Sequence, residues 1–486
     1  MSNLTRVKKM KTKMMLCMAA LALMATACNQ KEEYIPEQPV KGVPFTATVT
    51  AESISSKALT DNTTTLGFNW VEDETLALIY EVGGTPYNTT ATVASVDGSG
   101  TATITATLED GVTNNTPVSI VYPASAVSGT SDTILESVIT TQNGALAGRD
   151  IRKGSGTIKV TSGTASLAGG ATLTAQYAIC KFEIEDVDGS NSLPVTSLVI
   201  KDASDNIITT VTPASDASTL YVTLPATTGT LWFEAVSSGA PYVAKGTASL
   251  AAGNFYHPTM RMATIFNIIG ADGKFYKDKA SAVTASTTAA AIIAYLGNDT
   301  AETGYTHGLA IAMRNAAVQP SGMTPAWRSS GSGTDNTAQY TVASGAITAK
   351  ESGRTISLSH DSATYPAFQC ALNNTITAED GFSSSAPSFT SGWFLPSLFQ
   401  WNQIIKALCG ESTDLDITTN ASLKGDVFNT RLASAGSSNS QISASYIWLS
   451  TEYTSTNAWC YTQSSGSVNN SQLKTYGIAV RATLAF

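Results

Sequence analysis

The stretch Leu66-Gly67-Phe68-Asn69-Trp70-Val71-Glu72-Asp73-Glu74-Thr75-Leu76-Ala77-Leu78-Ile79-Tyr80 holds two strand-like runs, residues 66–70 and 74–80, with an acidic turn between them. Apolar runs this short, bounded by turn formers, indicate strands. Phe68 and Trp70 are expected to anchor a core, because large aromatic groups bury the most apolar surface per residue. On the N-terminal side, Phe45-Thr46-Ala47-Thr48-Val49-Thr50 alternates with the period of a strand. On the C-terminal side the pattern continues at residues 91–96, 101–108 and 118–122, with Asp97-Gly98-Ser99-Gly100 and Glu109-Asp110-Gly111 as turns. Regular short strands with polar outer faces predict an all-β sandwich or barrel over residues 45–164.

A second β-domain is expected over residues 165–262. Its runs are residues 171–186, 194–201, 219–224, 230–236 and 242–250, closing on Ala251-Ala252-Gly253-Asn254-Phe255-Tyr256. Cys180 lies in an alternating run that turns it inward, which predicts a buried free thiol. Residues 148–163 are Gly/Ser-rich and carry Arg149, Arg152 and Lys153, the composition of a solvated linker. From residue 263 onward the character changes: residues 28–262 carry about 12 net negative charges and residues 263–486 about 2. Mixed helix and strand is expected there, with helices at 285–296 and 398–408. In the second of these, Leu398, Trp401, Ile404, Ile405 and Leu408 recur at helical spacing, with Pro396 before and Gly410 after as boundary residues.

The N-terminus has the order of an export signal: Arg6, Lys8, Lys9, Lys11 and Lys13 precede an apolar run from Met14 to Ala27. It ends in Leu23-Met24-Ala25-Thr26-Ala27-Cys28, where small residues precede a thiol. Residues 1–27 are therefore expected to be a lipoprotein signal peptide. Cys28 would carry a diacylglycerol thioether, its freed amine would take a further acyl chain, and residues 28–44 would form a lipidated tether. Each buried CH₂ adds about 0.8 kcal/mol, so two or more chains hold the outer membrane far better than one. The run Lys31-Glu32-Glu33 resembles the short signal that sends Bacteroidetes lipoproteins to the cell surface.

Loss of residues 1–27 removes five basic and no acidic groups, moving the formal charge from -9 to about -14. With no basic stripe to release counterions, nucleic acid is excluded as a partner. Cys180, Cys370, Cys409 and Cys460 remain beyond the lipid site, and no two have redox or zinc spacing. One pair among the last three could form a disulfide in an exported protein, and the spacing selects none. His257, His307 and His360 show no metal-ligand spacing, and Ser450 has no identifiable His and acid partner, so no enzymatic activity is expected. No cofactor is expected, with Asp414 and Asp416 a weak candidate for calcium.

Two resemblances bear on these residues. Residues 45–262 resemble the fimbrillin-type lipoproteins of Bacteroidales, which build or decorate surface pili. The likeness rests on the leader, on Phe45-Thr46-Ala47 followed by Lys57-Ala58-Leu59-Thr60, on residues 68–80, on Ala175-Gln176-Tyr177-Ala178 and on Ala252-Gly253-Asn254-Phe255-Tyr256. The family has a Gly-Asp turn where this chain has Glu72-Asp73. Residues 263–486 resemble a family of extracellular domains of Bacteroidetes and Fibrobacteres, related in fold to C-type lectins and the formylglycine-generating enzyme. The matching motifs are residues 306–313, 391–397, 446–452, 457–459 and 474–482. Together the resemblances imply two all-β fimbrillin-like sandwich or barrel domains followed by an α+β lectin-like domain.

Trp393 and Trp448 are expected in the small core of that last domain, with a Glu452–Arg481 ion pair fixing a loop. Candidate ligand-binding residues are Trp327, Asp335, Asn336, Tyr340, Asn457, Trp459 and Tyr461, since aromatics and amides suit sugar rings and hydroxyls. The expected function is a surface-located tip or accessory fimbrial subunit, with fimbrillin-like pilus subunits as partners and non-enzymatic adhesion to a host or bacterial glycan or protein. The family's stalk subunits are cut after an arginine near the first strand, and this chain has none between Cys28 and Arg149. A pilus-independent glycan-binding surface lipoprotein is the alternative, and an enzyme on the C-terminal fold the weaker one.

Overall fold

The computed structural model describes residues 42–52, 55–57, 70–97, 100–146, 148–316, 324–335, 347, 349–374, 381–410, 425–442, 446–463 and 466–486. Cys28, Phe68, Asn336, Tyr340, Asp414 and Asp416 lie outside them. No helix among the described residues is long and apolar enough to cross a membrane.

The first ten strands are β1 (Val43–Ala51), β2 (Ser55–Lys57), β3 (Thr75–Val82), β4 (Thr85–Val96), β5 (Thr101–Leu108), β6 (Thr116–Tyr122), β7 (Thr141–Gln142), β8 (Arg152–Thr161), β9 (Thr164–Leu167) and β10 (Ala171–Ala175). All except β2 and β7 join one sheet in the order β10-β1-β5-β4-β3-β6-β8-β9, and pairing of β10 with β8 and of β1 with β9 closes it. Alternate residues point inward, so Phe45, Val49, Leu76, Leu78, Ile104 and Ile120 fill the barrel. Trp70 is buried, donates from Nε1 to the Gly100 carbonyl at 3.0 Å and meets Tyr122 edge to face. Asp73 takes the left-handed conformation at φ 72°, so the turn keeps glycine-like geometry without a glycine.

Residues 148–163, expected as a linker, instead supply β8, paired with β6, β9 and β10. Arg152 is fully buried, with its guanidinium on Asp150 at 2.8 Å and on the Glu52 carbonyl. The glycines there serve close packing: a Cβ on Gly154 would stand 2.4 Å from the Thr172 carbonyl oxygen. Residues 171–175, expected in the second module, complete this first barrel as β10.

Next come β11 (Ala178–Asp186), β12 (Ser197–Lys201), β13 (Ile207–Val211), β14 (Thr219–Leu224), β15 (Thr227–Ser237), β16 (Ala240–Leu250), β17 (Asn254–Tyr256) and β18 (Thr259–Met262). They form two sheets, β14-β11-β17-β2 with β18 also on β11, and β16-β15-β12-β13-β7. Cys180, Phe182, Leu198, Ile200, Val222 and Phe233 pack between them. Both sheets thus borrow a strand from the preceding chain. Gln142 on β7 saturates its side-chain amide in the process: Nε2 donates to the carbonyls of Ile139 and Thr223 and to Thr209 Oγ1, while Oε1 accepts from Thr223 N and Arg149 Nη1.

The remaining strands are β19 (Ile268–Gly270), β20 (Phe275–Tyr276), β21 (Ala289–Leu296), β22 (Gly308–Ala312), β23 (Tyr446–Glu452), β24 (Asn457–Thr462), β25 (Ser467–Leu473) and β26 (Thr483–Ala485). They make a sheet β20-β19-β21-β22-β26 and a smaller one β23-β24-β25. The helix expected at 285–296 is β21. Its run is apolar throughout because both faces are covered: Ile292 and Ala294 enter one core, Ala291 and Ile293 the other. The other expected helix forms at Leu398–Cys409, with a capping box between Ser397 and Gln400 and Gly410 left-handed at its end. Leu398, Trp401, Ile404, Ile405 and Leu408 are all buried. Trp393 and Trp448 are core residues, their Nε1 groups donating to Ser384 O at 2.7 Å and Pro325 O at 3.1 Å.

Two substitutions test this packing. Gly154→Ala should lower stability by about 1–3 kcal/mol through overpacking against β10. Trp448→Ala should cost about 3–5 kcal/mol by opening a cavity. Urea unfolding of the full chain checks both, and an unchanged midpoint in either variant contradicts the corresponding packing.

Candidate functional site

An apolar groove opens in the second sandwich, between β16 and the β17–β18 segment. The groove has a volume of about 400 Å³ and is lined by Phe182, Leu224, Leu231, Phe233, Tyr256 and Met260, with residues 244–250 along one rim and 258–261 along the other. One end is tied by Val243 and Ala263, which exchange both backbone hydrogen bonds, at 2.8 and 2.7 Å. The other end is the turn at Ala251-Ala252-Gly253, with Gly253 left-handed at φ 72°.

Backbone direction makes this rim reactive toward a strand. In a strand the N–H and C=O of one residue point to the same edge, and those of residue i+2 repeat it. Val243 faces Ala263, so Lys245, Thr247 and Ser249 turn their backbone groups to the same side, away from β15. Among the described residues no backbone partner meets them there. An apolar trough beside an unpaired strand edge offers a main-chain ladder along one rim and side-chain burial at its floor. Cys180 opens into the same trough, and burial pushes its thiol up to about 12, so it stays protonated and unreactive.

A second concavity, of about 360 Å³, lies where the second sandwich meets the C-terminal part, and Asp205, Trp232, Lys245, Tyr305, His307 and Phe389 line it. The His307 ring stacks on Trp232 at 3.9 Å between centroids and its Nδ1 lies 2.7 Å from Glu234 Oε1. Asp205, Glu234 and His307 bring three donor atoms within 4.8 Å of one another, a spacing a metal ion would accept. The Lys201 ammonium already bridges the two carboxylates, at 2.9 Å from Asp205 and 2.8 Å from Glu234, so a cation is built into the cluster. Burial raises the Glu234 and Asp205 carboxyls, and their hydrogen bonds outweigh it and hold both below the usual range: Glu234 with His307 and Lys201, Asp205 with Thr306 and Lys201.

Of the expected glycan-binding residues, the described ones, Trp327, Asp335, Asn457, Trp459 and Tyr461, line neither concavity. Trp327 is fully buried and donates to Leu449 O at 2.9 Å; Trp459 packs edge-on against Tyr453, and Tyr461 against Trp401. Their apolar surface is spent on the core of a small domain, which corrects their reading as a stacking platform. Asn457 opens β24 and accepts from the Thr454 and Thr456 hydroxyls, a turn function. Asp335 is buried against Lys474, Arg328 and Tyr365. The expected Glu452–Arg481 pair is also corrected: Glu452 is paired with Lys474, while Arg481 donates to Ser440 O and Asn315 Oδ1. Lys474 lay inside a quoted motif, and only the fold brings its ammonium to Asp335 and Glu452. Cys180, Cys370, Cys409 and Cys460 are all free thiols, so no described pair forms the disulfide considered above.

A carboxylate with a depressed folded-state pKa stabilises above its unfolded value and loses that contribution as pH falls through the folded one. Unfolding by urea should therefore become easier as pH drops below the ordinary 4.5 of Glu234 and 3.8 of Asp205. Glu234→Gln should flatten that dependence, and an unaltered pH profile in the variant contradicts the cluster's role.

No family model and no curated protein matches the chain. Among solved structures it is similar to a fimbrial protein from Bacteroides ovatus, at 16% identity over 92% of this chain and 99% of that one, with a TM-score of 0.31. It is also similar to a fimbrial assembly protein from Parabacteroides distasonis, at 10% identity over 45% of this chain and 90% of that one, with a TM-score of 0.27. Both scores are too low for either protein to serve as a guide to this one.

Proposed function

We propose that this chain is a lipid-anchored surface protein that joins a pilus as a tip or accessory subunit by accepting a strand from a neighbouring subunit. The observation that carries the reading is the unpaired edge at Lys245, Thr247 and Ser249 beside the apolar trough of Phe182, Leu231, Phe233 and Met260. Strand addition satisfies such an edge and buries alternate side chains in the trough. The leader ending at Cys28 and the fimbrillin-like motifs of residues 45–262 support the surface location and the class of partner. One feature favours an accepting role over a repeating stalk role: there is no arginine between Cys28 and Arg149. Adhesion then falls to the C-terminal part, through surface other than the buried Trp327, Trp459 and Tyr461.

Filaments sheared from the native cell surface and captured through the C-terminal part should contain this chain in substoichiometric amounts with a fimbrillin-like stalk protein. Thr247→Pro removes one groove-facing N–H and should lower that recovery at least about tenfold, or ~1.4 kcal/mol. Recovery from outer-membrane fractions alone, with no stalk partner, overturns the proposal in favour of an independent surface lipoprotein.

A further inference from the structure

Lys474 directly follows β25 and is buried almost completely, with 1% of its side chain exposed. Its three ammonium protons meet Gly333 O at 2.9 Å, Asp335 Oδ2 at 2.8 Å and Glu452 Oε1. Asp335 and Glu452 are as deeply enclosed, at 5% and 0%. The ring of Trp327 lies 4.7 Å from the Lys474 nitrogen and keeps that side of the site apolar. On the far side of the Asp335 carboxyl, Oδ1 accepts from Arg328 Nη1 and from the Tyr365 hydroxyl. One amine thus stands against a carboxyl whose other oxygen is held by two donors, with a second carboxyl touching the same amine.

We propose that Lys474 and Asp335 join through an intramolecular isopeptide bond, with Glu452 as the proton carrier. The Lys474 ammonium passes a proton to Glu452, which hands it to Asp335 Oδ2, leaving a neutral amine beside a neutral carboxyl. The Nζ lone pair attacks Asp335 Cγ, and the charge that develops on Oδ1 falls between Arg328 and Tyr365, already in place to receive it. Glu452 then takes a second proton from the nitrogen and delivers it to the departing oxygen. The C–Oδ2 bond breaks, the Nζ–Cγ amide forms and one water leaves. An ammonium and a carboxylate are consumed, Glu452 is regenerated, and no oxidant or co-reactant enters. Condensation relieves the site of one buried positive and one buried negative charge, the groups whose desolvation is most costly in an interior. Arg328 and Glu452 remain to balance each other. The bond would lock the loop at Asp335 to the end of β25, sequence positions 139 residues apart.

Mass spectrometry of trypsin-digested full chain tests this directly. A linked species is expected in which residues 329–350 are joined to residues 432–481, uncut at Lys474 and lighter than the two peptides together by one water. Glu452→Gln keeps the amine and Asp335 and should yield the peptides unlinked, with the native fold verified by near-ultraviolet circular dichroism. Wild-type protein yielding free 329–350 and a cut at Lys474 overturns the bond and leaves a non-covalent ion cluster. Linked peptides in folded Glu452→Gln overturn the role of Glu452 as carrier.

Discussion

Satisfaction of strand edges is the constraint on which the N-terminal half depends. Two sheets packed face to face leave four edges, and an edge left open exposes a row of donors and acceptors. In the second sandwich β2 covers part of the β17 edge, β7 covers β13, and the segment at Gln142 and Gly144 bonds Thr223 N and Tyr221 N on β14. All three come from chain that precedes β8, so the barrel and the sandwich are stitched together by exchanged backbone. The edge of β16 receives no such cover beyond Val243, and there the core opens as a groove. Within the second sandwich, then, three edges are met by preceding chain and the edge of β16 runs beside an apolar floor.

The junction between the second sandwich and the C-terminal part follows a different logic. Trp232 projects from β15 and stacks on His307, while Lys201, Asp205 and Glu234 surround the ring with alternating charge. Apolar stacking supplies contact and the ionic groups supply orientation, because each has a partner within hydrogen-bond reach.

Three indoles of the C-terminal core donate their N–H groups to carbonyls: Trp327 to Leu449, Trp393 to Ser384, Trp448 to Pro325. Each bond pins a loop to the small sheets, so long irregular segments can be ordered without long regular elements. Trp327, Trp459 and Tyr461, which looked suited to sugars, are buried in this core.

Strand content, the capped helix at Leu398–Cys409 and the inward turn of Cys180 were legible in the sequence, because each depends on local periodicity or on neighbouring residues: alternation, a capping box, a glycine at the end. The strand Ala289–Leu296 was not, since a segment buried on both faces loses the alternation that marks a strand. Nor was β8, whose Gly154 and Gly156 read as linker until β9 and β10 are seen against them. Pairings across long stretches of chain, β2 on β17, β7 on β13, Lys474 with Asp335 and Glu452, carry no local signature. What the sequence by itself determined is the class of element at most positions and the order of the parts. Which edge stays open, which aromatics are interior and which charges meet were decided only by tertiary structure, because these depend on distances between residues that the chain's own periodicity does not relate.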